Sequence, residues 1–179
     1  AAFTESFLTL YLAEKQKKGR ALSGAEIQNV AGQALQSLSE AITVAPDFKA
    51  ASDIDVLDTS VGALKEFAAR VEAVLRKNTT DATKNETDYL QDALENDDTE
   101  ALAHIASIAK AYRDAAVGLA VLPVPRALAT DDLRLINALM RMSQISADFA
   151  KVLDDPLATM LALEQYPRAV AALGTAVAN

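Results

Sequence analysis

The feature that most constrains this chain is the spacing of its apolar residues, which recur every three or four positions through most of the sequence. This spacing is typical of amphipathic helices, because it gathers apolar side chains on one face of a 3.6-residue turn. Alanine strengthens the prediction, since 37 of the 179 residues are Ala while only 6 are Gly and 5 are Pro, and Ala is the best helix former. We therefore predict an all-α protein, a compact bundle of about seven mostly antiparallel helices in a single domain over residues 1–179.

Capping residues and breaks mark the predicted helix ends. Ser23 and Glu26 have capping-box spacing at the start of one helix, and Gly19 follows the basic last turn of the helix before it. We predict an ordered loop with one short turn over residues 43–58, and an exposed polar connection over residues 78–85, where the domain is most easily subdivided. The predicted helices begin near residues 3, 24, 59, 86, 99, 125 and 156.

Prolines shape the second half of the chain. Pro123 and Pro125 must end one helix, and the next helix is predicted to begin near Pro125, an acceptable first-turn residue. Pro167 lies inside the apolar pattern of the last helix and predicts a kink or an interruption after Tyr166. We select six residues as possible structural or contact positions: Pro123, Pro125, Asn137, Asp155, Pro156 and Tyr166.

Asn137 is selected because it is a polar side chain on an apolar stripe next to a rigid break. The structural explanation is that it satisfies the carbonyls that Pro123 and Pro125 leave without donors. At the start of the last helix, Asp155 is predicted to cap and Pro156 to occupy the first helical position.

Charge and composition exclude several classes of function. The chain carries 17 Lys and Arg against 25 Asp and Glu, a net charge of −8, which argues against a surface that binds nucleic-acid phosphates. It contains no Cys, which excludes disulfides, zinc-thiolate sites and cysteine nucleophiles. Carboxylates in the acidic stretch 77–100 lack the spacing and the glycine of a calcium loop, so we interpret this stretch as a solvated acidic edge.

No cluster of residues predicts catalysis. His104 is the single histidine, and we interpret it as solvated or capped. The pairs Asp131–Asp132 and Asp154–Asp155 stand at predicted helix starts, where capping accounts for them. The sequence therefore predicts no catalytic, metal-binding or cofactor-binding residue, and no enzyme.

Several segments carry a family resemblance through helix breaks and packing positions. In order along the chain, they are Phe3-Thr4-Glu5-Ser6-Phe7, Tyr11-Leu12, Lys17-Lys18-Gly19, Asp53-Ile54-Asp55-Val56, Ala109-Lys110-Ala111-Tyr112, Leu122-Pro123-Val124-Pro125, Leu135-Ile136-Asn137, Asp155-Pro156-Leu157 and Tyr166. Together they resemble an uncharacterised family of membrane-anchored helical proteins of candidate-phyla bacteria (Patescibacteria). The resemblance covers nearly the whole chain.

This resemblance implies a cellular setting. Members of the family carry one N-terminal transmembrane helix just before the point where this chain starts, which implies an extracytoplasmic, membrane-anchored domain. Their genes often lie near type IV pilus or secretion genes, which implies partners among other envelope proteins. The family pattern has a His shortly after the proline break, where this chain has Asp131-Asp132-Leu133. That departure counts against a shared catalytic or metal-binding His.

We therefore expect a non-catalytic extracytoplasmic helical domain that acts through protein contacts in a cell-envelope, pilus or secretion-type assembly. The alternative is a carrier of a small apolar ligand or lipid, with a groove between the long helix from Pro125 and its neighbours. Met140, Met142 and Phe149 are the residues that suggest such a groove, although core packing explains them more simply. The sequence leaves the partner and the oligomeric state open.

Overall fold

The computed structural model describes residues 2–41, 47–96 and 98–178, with side chains over residues 7–34, 47–96 and 98–178. Its long elements are all α-helices, so the predicted all-α class is confirmed. The described residues form seven of them: α1 Ala2–Lys18, α2 Gly24–Ala41, α3 Val61–Lys77, α4 Glu86–Asn96, α5 Thr99–Leu119, α6 Ala129–Phe149 and α7 Pro156–Ala178. A 3-10 helix (Ala51–Asp53) and two short strands, β1 (Val56–Leu57) and β2 (Val124–Pro125), complete the described elements.

Contacts divide the chain into two units, residues 1–46 and residues 47–179. The predicted polar connection 78–85 lies inside the second unit, between α3 and α4. A single domain over residues 1–179 stays a prediction. Of the predicted loop 43–58, residues 43–46 lie outside the described residues, and the rest contains the 3-10 helix and β1.

The first unit is a helical hairpin, α1 against α2, whose turn is organised by one carboxylate. Glu26 accepts hydrogen bonds from Arg20 Nη2 at 2.9 Å and from Lys18 Nζ at 2.6 Å. It also accepts from the Ser23 backbone N–H at 2.7 Å, while Ser23 Oγ accepts from the Glu26 N–H at 3.4 Å. The predicted capping box is therefore confirmed, and the donors hold the pKa of Glu26 well below its usual range. Gly19 ends α1 with a φ of 65°, as its position predicts.

In the second unit, α5 and α6 form an antiparallel central pair. The buried hydroxyl of Ser143, in the second half of α6, donates to the Ala109 carbonyl midway along α5 at 2.7 Å. Leu119 at the end of α5 belongs to the same apolar cluster as Ile136 near the start of α6. Outside this pair, α7 packs on α6 and α4 packs on α5. The largest side chains that this packing removes from solvent are Phe149, Ile105, Leu119, Ile136, Met142 and Val124.

The start of α6 differs from the prediction. The helix begins at Ala129 rather than near Pro125, because Val124 and Pro125 are used in a parallel pairing with β1. The Val124 N–H donates to the Asp55 carbonyl at 2.8 Å, and the Arg126 N–H donates to the Leu57 carbonyl at 2.9 Å. Pro125 has no N–H to donate, so the pairing stays short.

A second difference concerns Pro167, which does not interrupt α7. Proline removes the N–H that would bond the carbonyl four residues earlier, which belongs to Leu163. Residues 163 and 167 lie on the same, exposed face of the helix, where water can bond that carbonyl. The predicted interruption is therefore wrong, because the lost hydrogen bond falls on the solvent side, whereas the alternative, a kink, stays a prediction.

Gly118 and Gly174, each inside a long helix of the second unit, make a matched test of packing. A Cβ at Gly118 of α5 would lie 2.8 Å from Val74 Cγ1 of α3, and the side chain of a helical valine is stiff. We expect Gly118→Ala to lower the free energy of unfolding by about 1 kcal/mol, because overpacking outweighs the better helix propensity. Gly174→Ala in α7, where a Cβ meets nothing within 4 Å, should raise it by about 1 kcal/mol. Urea denaturation measures both, and a stabilised Gly118→Ala would contradict the close helix approach.

Candidate functional site

A polar cluster lies in the interior of the second unit, centred on Glu86, the first residue of α4. Glu86 is 4% exposed, and its Oε1 accepts from Ser146 Oγ of α6 at 3.3 Å. Its Oε2 accepts from the Tyr166 hydroxyl of α7 at 3.1 Å. The Tyr112 hydroxyl of α5 also faces this carboxylate. Four helices therefore meet at one buried carboxyl group, each contributing one polar side chain.

The electrostatics of this cluster keep its hydroxyl groups protonated. Burial, and then the charge of Glu86, raise the pKa of Tyr112 to about 12. The same two causes, in the same order, raise the pKa of Tyr166 above its usual value. Both phenols therefore remain hydrogen-bond donors at physiological pH. Because Glu86 and Ser146 are enclosed, the cluster is suited to fixing helix positions rather than to meeting a substrate.

The sequence interpretation missed this cluster, because it assigned Glu86 to a solvated acidic edge. That interpretation is wrong for Glu86, although Asp92 in the same stretch is partly exposed and pairs with Lys84 at 2.7 Å. The signal was present in the spacing, since Glu86 stands three residues before Tyr89 and seven before Ala93, which are buried on α4. A carboxylate in phase with an apolar stripe is directed toward the core.

Asp132 repeats this pattern at the start of α6. It stands four residues before Ile136, is 6% exposed, and its Oδ2 has no hydrogen-bond partner among the described residues. Burial alone raises the pKa of Asp132 to about 6. Its neighbour Asp131 is half-buried and pairs with Arg134 at 3.2 Å. Asp132 is therefore not the solvated, helix-capping carboxylate that the sequence predicts.

A shallow groove of about 350 Å³ lies beside the Glu86 cluster, with Tyr112 in its wall. Its floor is apolar, and a short polar segment, residues 78–80, borders it. The predicted groove residues Met140, Met142 and Phe149 do not line it. Met142 and Phe149 are instead 1% and 0% exposed in the core, and Met140 is half-buried. The lining side chains come from the end of α3, from α5 and from α6: Leu75, Ile108, Ala111, Tyr112, Ala115 and Leu139.

Asn137 holds a loop rather than the proline break. Its Oδ1 accepts from the Lys49 N–H and its Nδ2 donates to the Lys49 carbonyl, both at 2.9 Å. One turn later, Arg141 pairs with Asp47 at 3.5 Å. The proposed bonding of the Pro123 and Pro125 carbonyls by Asn137 is therefore not what the structure shows. Asn137 and the β1–β2 pairing instead attach the same segment, residues 47–57, at two places, to α6 and to β2.

Removing this amide should release the loop. We expect Asn137→Ala to speed hydrogen exchange of the Lys49 amide at least tenfold and to lower the free energy of unfolding by about 1–2 kcal/mol, because two hydrogen bonds are lost. Asn137→Asp retains the acceptor for the Lys49 N–H and should keep most of its protection. Exchange measured by NMR decides the result, and unchanged exchange in Asn137→Ala would contradict the attachment.

Of the other selected residues, Asp155 and Pro156 lie at the start of α7 and Tyr166 lies inside it, while Pro123 directly precedes β2 and Pro125 ends it. Asp155 Oδ1 accepts from the Ala158 N–H at 3.0 Å, and Pro156 is the first residue of the helix. Both therefore have the local roles predicted for them. His104 is half-buried, and its ring stacks on Tyr89 with centroids 4.8 Å apart.

The outer face of α7 carries a line of apolar residues that the other helices of the second unit leave uncovered. Six exposed residues follow each other at alternating spacings of three and four: Met160, Leu163, Pro167, Val170, Gly174 and Val177. This is the spacing of a coiled-coil seam, which packs against another helix. We call these six residues the α7 seam. Val177 is 69% exposed and Met160 is 53% exposed.

Among the described residues, no three metal-ligating side chains come together, and no helix has the length and hydropathy needed to cross a bilayer. Comparisons with protein families, with curated proteins and with solved structures gave no match. The function must therefore be inferred from the residues themselves.

Proposed function

We propose that this chain is a non-catalytic helical domain that acts through protein contacts, and that the α7 seam is its contact surface. The observation that carries the proposal is the continuous exposed line of apolar residues from Met160 to Val177. Scattered exposed apolar residues need no explanation, but a contiguous apolar patch marks an interaction surface.

The charge distribution supports a protein partner. Between Pro156 and Ala178, only Glu164 and Arg168 are charged, although the whole chain has 17 basic and 25 acidic residues. Depletion of charge is typical of the buried centre of protein interfaces. A helix that lies on an anionic membrane carries Lys and Arg along its polar face, and α7 has a single Arg. The α7 seam therefore fits an apolar protein surface better than a lipid surface.

The architecture supports a role without chemistry. The most enclosed polar groups of the second unit, those around Glu86, bond to one another across four helices. The selected residues Asn137, Asp155 and Pro156 serve loop attachment and helix capping. The hydroxyl, carboxylate and amide groups of these residues therefore stabilise the fold. The α7 seam, in contrast, is exposed and free to contact another protein.

The cellular setting of this proposal comes from the family resemblance. We propose that the domain lies outside the cytoplasm behind an N-terminal anchor and contacts other proteins of an envelope, pilus or secretion-type assembly. A reporter fused to the C-terminus of the full-length gene product, active only outside the cytoplasm, tests the location. Activity of a cytoplasm-specific reporter instead would overturn it.

Site-specific photo-crosslinking tests the contact surface. A photoreactive amino acid at Val170 in the seam should give defined protein adducts in native membranes, whereas the same amino acid at exposed Arg134 of α6 should not. Adding Leu163→Glu should remove the Val170 adducts, since a buried unpaired charge is costly in an interface. Equal labelling from both positions, or adducts that survive Leu163→Glu, would overturn the proposal.

The groove beside Tyr112 supports a second candidate, a carrier of a small apolar ligand. Its volume of about 350 Å³ is at the lower end for ligand pockets, and its floor is apolar. Native mass spectrometry of the purified chain should then show retained mass, and Ala111→Leu should reduce it by filling the groove. Ala103→Leu, on an exposed part of α5, is the control. A chain that retains nothing argues against a carrier.

A further inference from the structure

We propose that the start of α6 controls a pH-sensitive latch, which is closed while the Asp132 carboxyl is protonated and loosens when it ionises. The latch consists of the hydrogen bonds between residues 55–59 and residues 124–127. It lies in a different part of the second unit from the α7 seam, so this inference does not rest on the function proposed above.

The latch joins β1 to the residues that lead into α6. Its two bonds within the β1–β2 pairing are donated by the N–H groups of Val124 and Arg126. A third bond runs from the Ala127 N–H to Thr59 Oγ1 at 3.1 Å. The side chain of Arg126 also lies 3.8 Å from Asp58, but both are exposed and such a pair contributes little. The latch therefore depends mainly on three backbone N–H groups.

Asp132 is connected to the latch through the backbone. The Asp132 N–H donates to the Leu128 carbonyl at 2.9 Å, and the Leu128 N–H donates to the Pro125 carbonyl at 2.8 Å. Pro125 belongs to β2 and lies between the two residues whose N–H groups bond β1. Unwinding the first turn of α6 therefore also loosens the latch.

The first turn of α6 lacks the side-chain cap that the other long helices of the second unit have. Side-chain oxygens accept hydrogen bonds from first-turn amides of α3, α4, α5 and α7, and they belong to Ser60, Asn85, Asp98 and Asp155. The residue before α6 is Leu128, whose side chain makes no such bond. Because a cap stabilises a helix start, the first turn of α6 opens more easily than its counterparts.

Ionisation of Asp132 drives this opening. Its side chain is 6% exposed, and its Oδ2 has no hydrogen-bond partner among the described residues. In the closed turn the charged form therefore lacks both water and a donor for this oxygen, which is costly. Opening a single turn of α6 gives the carboxylate water while the rest of the helix stays packed. Residues 55–59 are then released, whereas Asn137 still holds Lys49.

The charged groups on the surrounding elements do not compete with this effect. On α6, before it, beside β1 and on α3 they are partly or fully exposed: Asp131, Arg134, Arg126, Asp53, Asp55, Asp58, Lys65 and Glu66. The ends of α5 and α7 add no charge after Asp114 and Arg168. Burial is accordingly the one cause that raises the pKa of Asp132 to about 6.

The direction of the pH response follows from proton linkage. The closed turn holds the proton more tightly than the open turn, so the latch is best protected below about pH 4 and loosens as the pH rises through about 6. If the open turn has the ordinary pKa of 3.8, the difference corresponds to about 100-fold more frequent opening at neutral pH than in acid.

Hydrogen exchange measured by NMR on the full chain tests the latch. Protection of the Val124 and Arg126 amides, corrected for the intrinsic exchange rate, should fall at least tenfold between pH 4 and pH 7. Asp132→Asn cannot ionise and should show no such fall, whereas the adjacent control Asp131→Asn should behave like the wild type. Equal protection of the wild type at both pH values, or a fall that persists in Asp132→Asn, would overturn the proposal.

Urea separates opening of the latch from unfolding of the whole unit. At pH 7, low concentrations of urea should speed exchange of the Ile145 amide, in the buried part of α6, but leave Val124 and Arg126 nearly unchanged. The reason is that opening one turn exposes little surface. An equally steep urea dependence at all three amides would show that the latch opens only when the unit unfolds, which contradicts a local device.

Discussion

Replacing Glu86 by alanine should lower the free energy of unfolding by about 3–5 kcal/mol, the largest single effect we expect in this chain. The substitution leaves the Ser146 and Tyr166 hydroxyls without their acceptor and opens a cavity where four helices meet. Each buried hydroxyl left without its partner costs about 1–3 kcal/mol and the cavity adds to this, well above the roughly 0.5 kcal/mol typical of surface changes. Thermal and urea denaturation of the purified variant measure the loss.

Two variants control for this prediction. Glu86→Gln keeps the volume and one acceptor oxygen, so its cost should be about 1 kcal/mol. Glu95→Ala removes an exposed carboxylate from the same helix, and its effect should stay within about 0.5 kcal/mol. If Glu86→Ala were as mild as Glu95→Ala, Glu86 would not be the buried centre of the cluster.

Replacing Asp132 by asparagine should have the opposite sign and raise the free energy of unfolding at pH 7 by about 2 kcal/mol. Its carboxylate is 6% exposed with an unpartnered oxygen, so keeping it ionised in the fold is costly. The amides at the start of α6 offset this cost by only about 0.3–1 kcal/mol. Asparagine has nearly the same shape and carries no charge. Urea denaturation at fixed pH measures the gain.

The pH dependence of this gain follows from the pKa of Asp132. Burial raises that pKa from 3.8 to about 6, so between these values the folded chain holds a proton that the unfolded chain has released. Stability from this group is therefore present below about pH 4 and is lost as the pH rises through about 6. A difference of about two pKa units corresponds to about 2–3 kcal/mol. Wild type and Asp132→Asn should thus be similarly stable near pH 4 and differ most above pH 7.

Taking the difference between variants at each pH isolates Asp132 from other carboxylates. Asp53 and Asp114, for example, have pKa values lowered by hydrogen bonds and act in the opposite direction. Asp131→Asn changes the adjacent residue, which lies outside the core, and should stay within about 0.5 kcal/mol at all pH values. A gain for Asp132→Asn that is equal at pH 4 and pH 7 would contradict the assigned burial.

The Glu86 cluster also bears on the proposed contact surface. Tyr166 anchors the inner side of α7 through its bond to Glu86 and through its ring, whose centroid lies 5.4 Å from that of Phe149. Because a helix is rigid about its axis, fixing one face fixes the direction of the opposite face. The buried cluster therefore orients the exposed α7 seam, and its loss should weaken any contact made there.

Local sequence signals were sufficient for the helices and for several of their ends. The three-and-four spacing predicts the seven helices, because an amphipathic stripe is a property of the segment itself. The Ser23–Glu26 capping box and the Gly19 helix end form as predicted, since cap and partner lie within one turn. Asp155 and Pro156 begin α7 for the same reason.

The elements that differ from prediction depend on distant residues. Pro125 fits a helix start locally, but a pairing with Leu57 places it in a strand. The neighbouring residues predict bonding between Asn137 and the proline break, whereas its partner is the Lys49 backbone, 88 residues away. Neither partner is visible in the residues around these positions, because chain folding alone decides which loop meets which helix.

The helical class, the positions of the helices and the exclusion of thiol chemistry follow from residue type and short spacing alone. Which acids are buried depends instead on how the helices pack. Glu86 and Asp132 look like ordinary helix-start carboxylates, and whether such a residue meets solvent depends on where its helix face is packed. The same holds for α7, which has apolar residues on more than one face. Packing on α6 buries one of these faces and leaves the α7 seam exposed.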